Sequence, residues 1–171
     1  MIAILQITAE PIANSTQLRK RAAMSNHINK PSLTALLLGF GGLIPFVGLS
    51  GLSVLTSDTH QQTLLFRLLA YGATIISFLG AIHWGLTMRE PSAHSLRLVW
   101  GVIPSLVAWL SLIFSTQVGL AIQCSILWVC FLVDYKTYPH FNLSAWLKLR
   151  FALTLIASVS LLAPLALINM Q

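Results

Sequence analysis

Residues 64–88 decide the fold, and their centre reads Ala70-Tyr71-Gly72-Ala73-Thr74-Ile75-Ile76-Ser77-Phe78-Leu79-Gly80-Ala81-Ile82-His83-Trp84-Gly85-Leu86. Within this stretch only Arg67 and His83 are basic and no residue is acidic. As an α-helix it is long enough to cross the ~30 Å hydrocarbon layer of a bilayer. The stretch therefore predicts a transmembrane helix.

The helix in 64–88 has two unlike faces when its residues are placed at 100° intervals. One face combines small and polar residues, namely Gly72, Ala73, Ile76, Ser77, Gly80, His83 and Trp84. The opposite face is bulky and apolar, with Ile75, Phe78, Leu79, Ile82 and Leu86. Because small residues let another helix approach closely, the first face predicts contact with protein and the second contact with lipid.

The composition of the whole chain supports a membrane protein. Of its 171 residues, 56% are hydrophobic and 8% are charged, whereas a soluble domain has about 25% charged residues. Five apolar segments, at 33–55, 64–88, 98–114, 118–133 and 149–168, predict an all-α, polytopic bundle of five transmembrane helices. The natural environment of such a bundle is the lipid bilayer, with other membrane proteins or further copies of itself as partners.

The predicted membrane domain covers residues 31–171 and follows a polar, basic lead at 1–30. This lead lacks the basic start and apolar run of a secretory signal. We expect a disordered basic tail, an organelle-targeting segment, or a mis-assigned start, since Met24 directly precedes a plausible short beginning.

The basic residues also orient the predicted spans. If the amino terminus is cytoplasmic, nine of the 10 Lys and Arg residues fall on the cytoplasmic side and only Arg67 falls outside. The positive-inside rule then predicts a multi-pass protein of the cell inner membrane, with its amino terminus in the cytoplasm and its carboxyl terminus outside. The same placement beside apolar segments argues against binding of nucleic acid.

Motifs for catalysis or metal binding are absent from the sequence. There is no Cys or His pair at ligand spacing, no phosphate-binding loop and no nucleophile elbow, and the chain has only 4 acidic residues. Cys124 and Cys130 point about 120° apart on one helix and cannot easily form a disulfide. We therefore expect no metal and no cofactor, and nothing argues for an enzyme.

Five residues form a candidate polar cluster near the cytoplasmic ends of four spans: His83, Trp84, Trp100, Asp134 and Arg150. An ionisable group inside a membrane is costly and usually faces protein or water, so His83 is a candidate for function. A structural interpretation competes with it. His83 would then donate to a backbone carbonyl, Asp134 and Arg150 would pair across a short loop, and the tryptophans would anchor the interface.

A second set of residues is expected to let helices pack closely. It consists of Gly39, Gly42, Pro45, Gly72, Ser77, Gly80 and Pro104. Within the first span, Gly41 lies four residues before Pro45, where the proline ring would meet a carbonyl group. The helix is expected to kink there.

Several strings resemble a bacterial family of unknown function whose eukaryotic relative is the mitochondrial transmembrane protein 69. The strings are Gly42-Leu43-Ile44-Pro45-Phe46, Tyr71-Gly72-Ala73, Ser77-Phe78-Leu79-Gly80, His83-Trp84-Gly85, Arg97-Leu98, Trp100, Pro104-Ser105-Leu106, Ala108-Trp109, Asp134, Trp146, Leu149-Arg150 and Leu153-Thr154. The resemblance covers residues 33–165 and implies an α-helical inner-membrane protein of about five spans. It brings no established activity.

Three functions are compatible with these residues. The first is a small accessory or assembly partner of a larger membrane complex, which the short chain and glycine-rich faces favour. The second is a small transporter or channel subunit with a cytoplasmic-side cavity near His83. The third is a membrane enzyme acting on a lipid or quinone, with His83, Asp134 and Arg150 around the substrate head.

Overall fold

The computed structural model describes residues 30–56, 59–89 and 95–168. In these ranges the chain is helical and contains no strand, as the sequence predicts. The helices are α1 (Leu33–Gly41), α2 (Ile44–Leu55), α3 (Thr59–Thr87), α4 (Ser95–Ser111), α5 (Thr116–Thr137) and α6 (Leu147–Ile168), and two short 3-10 turns, Tyr138–Phe141 and Ser144–Trp146, link the last two. The predicted tail at 1–30 lies, except for Lys30, outside the described residues.

Helices α1 and α2 together form the first span. At the place where a kink is expected, the α-helix is interrupted for two residues, 42 and 43. The side chain of Ser32 caps α1 by accepting a hydrogen bond from the backbone N–H of Ala35 at 3.1 Å. Helix α1 ends at Gly41, and α2 restarts with Pro45 in its first turn, where no intrahelical N–H partner is needed. The Tyr71 hydroxyl donates to the Gly42 carbonyl oxygen at 2.8 Å and so satisfies a group that the break exposes.

Helix α3 is the centre of the bundle, because it contacts α2, α4, α5 and α6. This central position corrects the two-faced assignment made from the sequence. Leu79, predicted to face lipid, is buried. Trp84, predicted to face protein, packs on α4 with one edge while 41% of it stays exposed. A helix with neighbours on several sides buries more than one face, and a single apolar stripe cannot show this.

In the part of the chain that the structure describes, four helical segments are long and apolar enough to cross a membrane: Leu33–Leu55, His60–Thr87, Thr116–Phe141 and Ser144–Leu167. The fifth predicted span is α4, an apolar helix of 17 residues. It measures about 25 Å at 1.5 Å per residue, which is the lower limit for a span. Helix α4 runs antiparallel to α3.

The predicted helix limits differ from the observed ones by a few residues. Helix α3 begins at Thr59 rather than at residue 64, and α4 is shifted by three residues toward the amino terminus. Helix α5 continues to Thr137, so Asp134 lies in its last turn instead of closing it. Polar residues such as those at 59–62 continue a helix as readily as they end one when no proline or glycine intervenes.

Candidate functional site

Three charged or ionisable side chains meet where α3 and α5 end and α6 begins. His83 lies one turn before the end of α3, Asp134 in the last turn of α5, and Arg150 in the first turn of α6. All three are buried, with His83 and Asp134 each 1% exposed. The turns between α5 and α6 reverse the chain and bring Arg150 beside Asp134.

Asp134 is the hub of this cluster. Its Oδ1 atom lies 3.0 Å from His83 Nε2, and its Oδ2 atom accepts a hydrogen bond from Arg150 Nε at 2.7 Å. Arg150 Nη2 also donates to Oδ2. Both carboxylate oxygens are therefore used, and the predicted pair of Asp134 and Arg150 is present. The predicted partner of His83 is wrong, since the imidazole binds this carboxylate and not a backbone carbonyl.

The contacts of Asp134 fix the tautomer of His83. A carboxylate paired with a guanidinium can only accept, so Nε2 of His83 must carry the hydrogen. In the neutral ring, Nδ1 is then an acceptor, and it is buried without a hydrogen-bond partner among the described residues. This arrangement resembles the oriented histidines of proton-transfer and metal sites, in which a carboxylate fixes one nitrogen and leaves the other for a ligand.

Trp100 completes the cluster. Its ring contacts the His83 ring edge-on, with centroids 6.4 Å apart, and its Nε1 also lacks a partner among the described residues. His83 and Trp100 line a pocket of about 310 Å³ together with Leu96, Arg97, Val133 and Thr137. The guanidinium of Arg97 lies 4.8 Å from the centroid of the Phe141 ring. The pocket is thus lined by an imidazole, an indole and a guanidinium.

Trp84 lies apart from the cluster that it was predicted to join. Its Nε1 donates to the backbone carbonyl of Leu98 at 2.8 Å and so ties the end of α3 to the start of α4. It also lies against Gly101, where an added methyl group would overlap the indole. Trp84 therefore joins two helices, while the other four candidates form the cluster.

Among the predicted packing residues, the glycines of α3 make the closest approaches. A methyl group at Gly80 would overlap the Gly101 carbonyl oxygen, and one at Gly72 would overlap the Gln123 side chain. Pro104 is buried against Gly80.

The remaining predicted packing residues lie in looser surroundings. Gly39 faces Leu153 of α6, Gly42 lies near the Tyr71 hydroxyl, and Pro45 and Ser77 are half-buried.

Sequence reasoning missed a second polar group in the middle of the bundle. The Gln123 side chain donates to the Leu69 carbonyl oxygen at 2.9 Å and to Ser111 Oγ at 3.0 Å, and it is fully buried. It connects α5 with α3 and α4. The sequence does contain a signal for this contact. Gln123 is the single side-chain amide in the otherwise apolar span 118–133, and such an amide indicates an interhelical hydrogen bond.

Metal ligands do not gather in the described ranges, which contain no group of three or more His, Cys, Asp or Glu side chains. Cys124 and Cys130 are both buried and free. The pairing of His83 with Asp134 alone offers at most one metal-binding nitrogen, which is fewer than any structural metal site uses.

Residues 31–166 match a family described as "Protein of unknown function (DUF3429)". The chain belongs to this family. As a DUF3429 member, it is 36% identical over 140 residues to Transmembrane protein 69 of Xenopus tropicalis, an alignment covering 77% of this chain and 53% of the relative.

A second relative is Transmembrane protein 69 of Mus musculus, which is 31% identical over 157 residues, covering 88% of this chain and 62% of the relative. The resemblance expected from the sequence is thereby confirmed. This DUF3429 chain spans between half and two thirds of the length of these curated relatives. No solved structure matches it. Its relatives and its apolar helices together show a membrane protein.

Proposed function

We propose that the chain is a small accessory or assembly partner of a larger membrane complex and that its first span, α1 with α2, receives a transmembrane helix of the partner. The observation that carries the proposal is that the rest of the bundle buries little of this span. Of its apolar stretch, 17% is buried, compared with 44% in the stretches of α3 and α6. Most of the first span is therefore available to lipid or to another protein.

The glycines of α2 favour protein over lipid as the neighbour of this span. Gly48 and Gly51 are three residues apart, share one face of α2, and have no atom within 4 Å of where a Cβ would lie. Elsewhere in the bundle, Gly72, Gly80 and Gly101 are pressed against a neighbouring helix. Since small residues serve close helix contacts in membranes, the open pair on α2 offers the same kind of contact to a partner.

The test is co-purification of the tagged chain at native expression in mild detergent, followed by quantitative mass spectrometry. Gly48→Leu and Gly51→Leu should each lower recovery of a stoichiometric membrane partner by about tenfold or more, because a bulky side chain separates the helices. Gly85→Leu is the matched control, since Gly85 is equally open but lies at the end of α3. A wild-type protein that remains a lone monomer in every gentle detergent, or unchanged recovery from both variants, would contradict the proposal.

The transporter hypothesis receives less support. It predicts water access to Gly80 and Trp84, but Gly80 packs against Gly101 and Pro104 of α4. Cysteine labelling from the aqueous side tests the hypothesis, and unreactive cysteines at both position 80 and position 84 would eliminate it.

One observation favours an enzyme as the second candidate function. Asp134 orients the His83 ring and leaves Nδ1 as an acceptor beside the small pocket, as a general base for a lipid or quinone head requires. His83→Gln should then abolish complementation of a knockout phenotype while the amount of protein in the membrane stays within about twofold. Unchanged complementation at equal protein level would eliminate this function.

A further inference from the structure

A cavity of about 480 Å³ lies between α1, α3 and α6, next to the Asp134–Arg150 pair. Its volume is within the range of known small-molecule sites, about 300–1,000 Å³. Its wall is mainly apolar, formed for example by Leu43, Phe46, Leu79 and Leu153, and Arg150 belongs to the same wall. The cavity is thus suited to an elongated apolar group with a polar end.

The polar and apolar parts of the wall are separated along α6. Trp146, Leu149 and Arg150 line the cavity at the start of this helix, and Ala157 lines it further along. Seven residues of helix place Arg150 and Ala157 about 10 Å apart along the axis. A ligand in the cavity therefore has its polar end at the helix terminus, where the membrane surface is expected, and its apolar end toward the bilayer interior.

The polar end of the cavity is rich in donors, and the Tyr138 hydroxyl beside them bonds to Arg150. The guanidinium of Arg150 has five N–H groups. Two of them reach Asp134 and one bonds to the Tyr138 hydroxyl, which leaves the others for a ligand. Trp146 Nε1, which can only donate, is buried without a partner among the described residues. Both groups can donate a hydrogen bond to an oxygen atom of a ligand.

Charge around this end of the cavity favours an anion. Segment 134–150, which links α5 to α6, contains Lys136, Lys148 and Arg150 as well as His140. Its one acidic residue, Asp134, offsets the charge of Arg150, so the net positive charge of the segment comes from the exposed Lys136 and Lys148. Basic groups between transmembrane helices at a membrane surface are suited to anionic lipid headgroups.

We propose that this cavity binds one anionic phospholipid, with an acyl chain among the apolar residues and headgroup oxygens at Trp146 Nε1 and Arg150. The site goes beyond the proposed partner function, since it uses α6 and not the open face of α2. The bound lipid fills the space between α1 and α6 and thereby couples the first span to the rest of the bundle.

Native mass spectrometry of the full chain, purified in mild detergent, tests the proposal. Dioleoyl phosphatidylglycerol and dioleoyl phosphatidylcholine, which share their acyl chains, are added at matched concentrations. We expect one phosphatidylglycerol per chain, bound about tenfold more tightly than phosphatidylcholine, because both lipids carry the phosphate but the choline cation of the second is repelled by the basic groups. Equal binding of the two lipids would overturn the proposal.

Two variants locate the site. Ala157→Phe places a ring in the apolar part and should weaken phosphatidylglycerol binding by about tenfold, whereas Ala166→Phe, an exposed position on the same helix, should bind like the wild type. Trp146→Phe removes only the N–H group and should weaken the binding of phosphatidylglycerol by about fivefold, as the loss of one hydrogen bond predicts. If Ala157→Phe does not fold, Trp146→Phe still tests whether the lipid binds at this site. Wild-type affinity of Trp146→Phe for phosphatidylglycerol, or a neutral isoprenoid found at one per purified chain, would overturn the assignment.

Discussion

Replacement of Asp134 by asparagine should destabilise the bundle more than any other conservative change at the polar cluster. The carboxylate accepts from His83 Nε2 and from two nitrogens of Arg150, and all three residues are buried. Asparagine has a single acceptor oxygen, and its NH2 group would face a donor. Arg150 would also lose its counter-charge inside the protein.

The expected cost is about 3 to 5 kcal/mol, the usual penalty for breaking a buried ion pair by removing one partner. This corresponds to a decrease of roughly 150- to 4,000-fold in the ratio of folded to unfolded protein. The measurement is reversible unfolding in mixed micelles of a mild detergent and dodecyl sulfate, followed by tryptophan fluorescence. Ser125→Ala on the exposed side of α5 is the control and should change the free energy of unfolding by less than about 0.5 kcal/mol.

The same reasoning predicts a rescue. Replacing the whole cluster by apolar residues, His83→Phe with Asp134→Leu and Arg150→Met, removes every buried charge together and should return stability to within about 1 kcal/mol of the wild type. A cost below about 1 kcal/mol for Asp134→Asn would refute the reasoning, because it would mean that the cluster is solvated or that Asp134 is not the hub.

Three further predictions concern helix packing, and the same unfolding assay measures them. Gly80→Ala should cost about 2 kcal/mol or more because the added methyl group overlaps a carbonyl oxygen of α4. Gly85→Ala, with open space around it, should cost less than about 0.5 kcal/mol. Equal effects of the two variants would contradict the close approach of α3 to α4 at Gly80. Gln123→Leu should cost about 0.6 to 1.7 kcal/mol, the range for interhelical hydrogen bonds in membranes. Tyr71→Phe removes the hydrogen bond to Gly42 and should cost about 1 kcal/mol; no loss of stability would show that water satisfies this carbonyl.

Particular residues show how much of the fold and of the site could be predicted from the sequence alone. Long apolar runs determined that the chain is helical and that it belongs in a membrane, because a spanning segment must satisfy its own backbone hydrogen bonds. Gly41 and Pro45 located the break in the first span, since their chemistry acts within one turn. His83, Asp134 and Arg150 were conspicuous as rare ionisable groups in apolar surroundings.

Only the tertiary structure decided which of these groups meet. The contact between His83 and Asp134 joins residues 51 positions apart, and the burial of Leu79 depends on how many helices surround α3. Helical periodicity reports the direction of a side chain on its own helix, but not which neighbour lies in that direction. The polar cluster, the Gln123 contacts and the cavity beside Arg150 therefore follow from how the helices pack and not from any one segment of the chain.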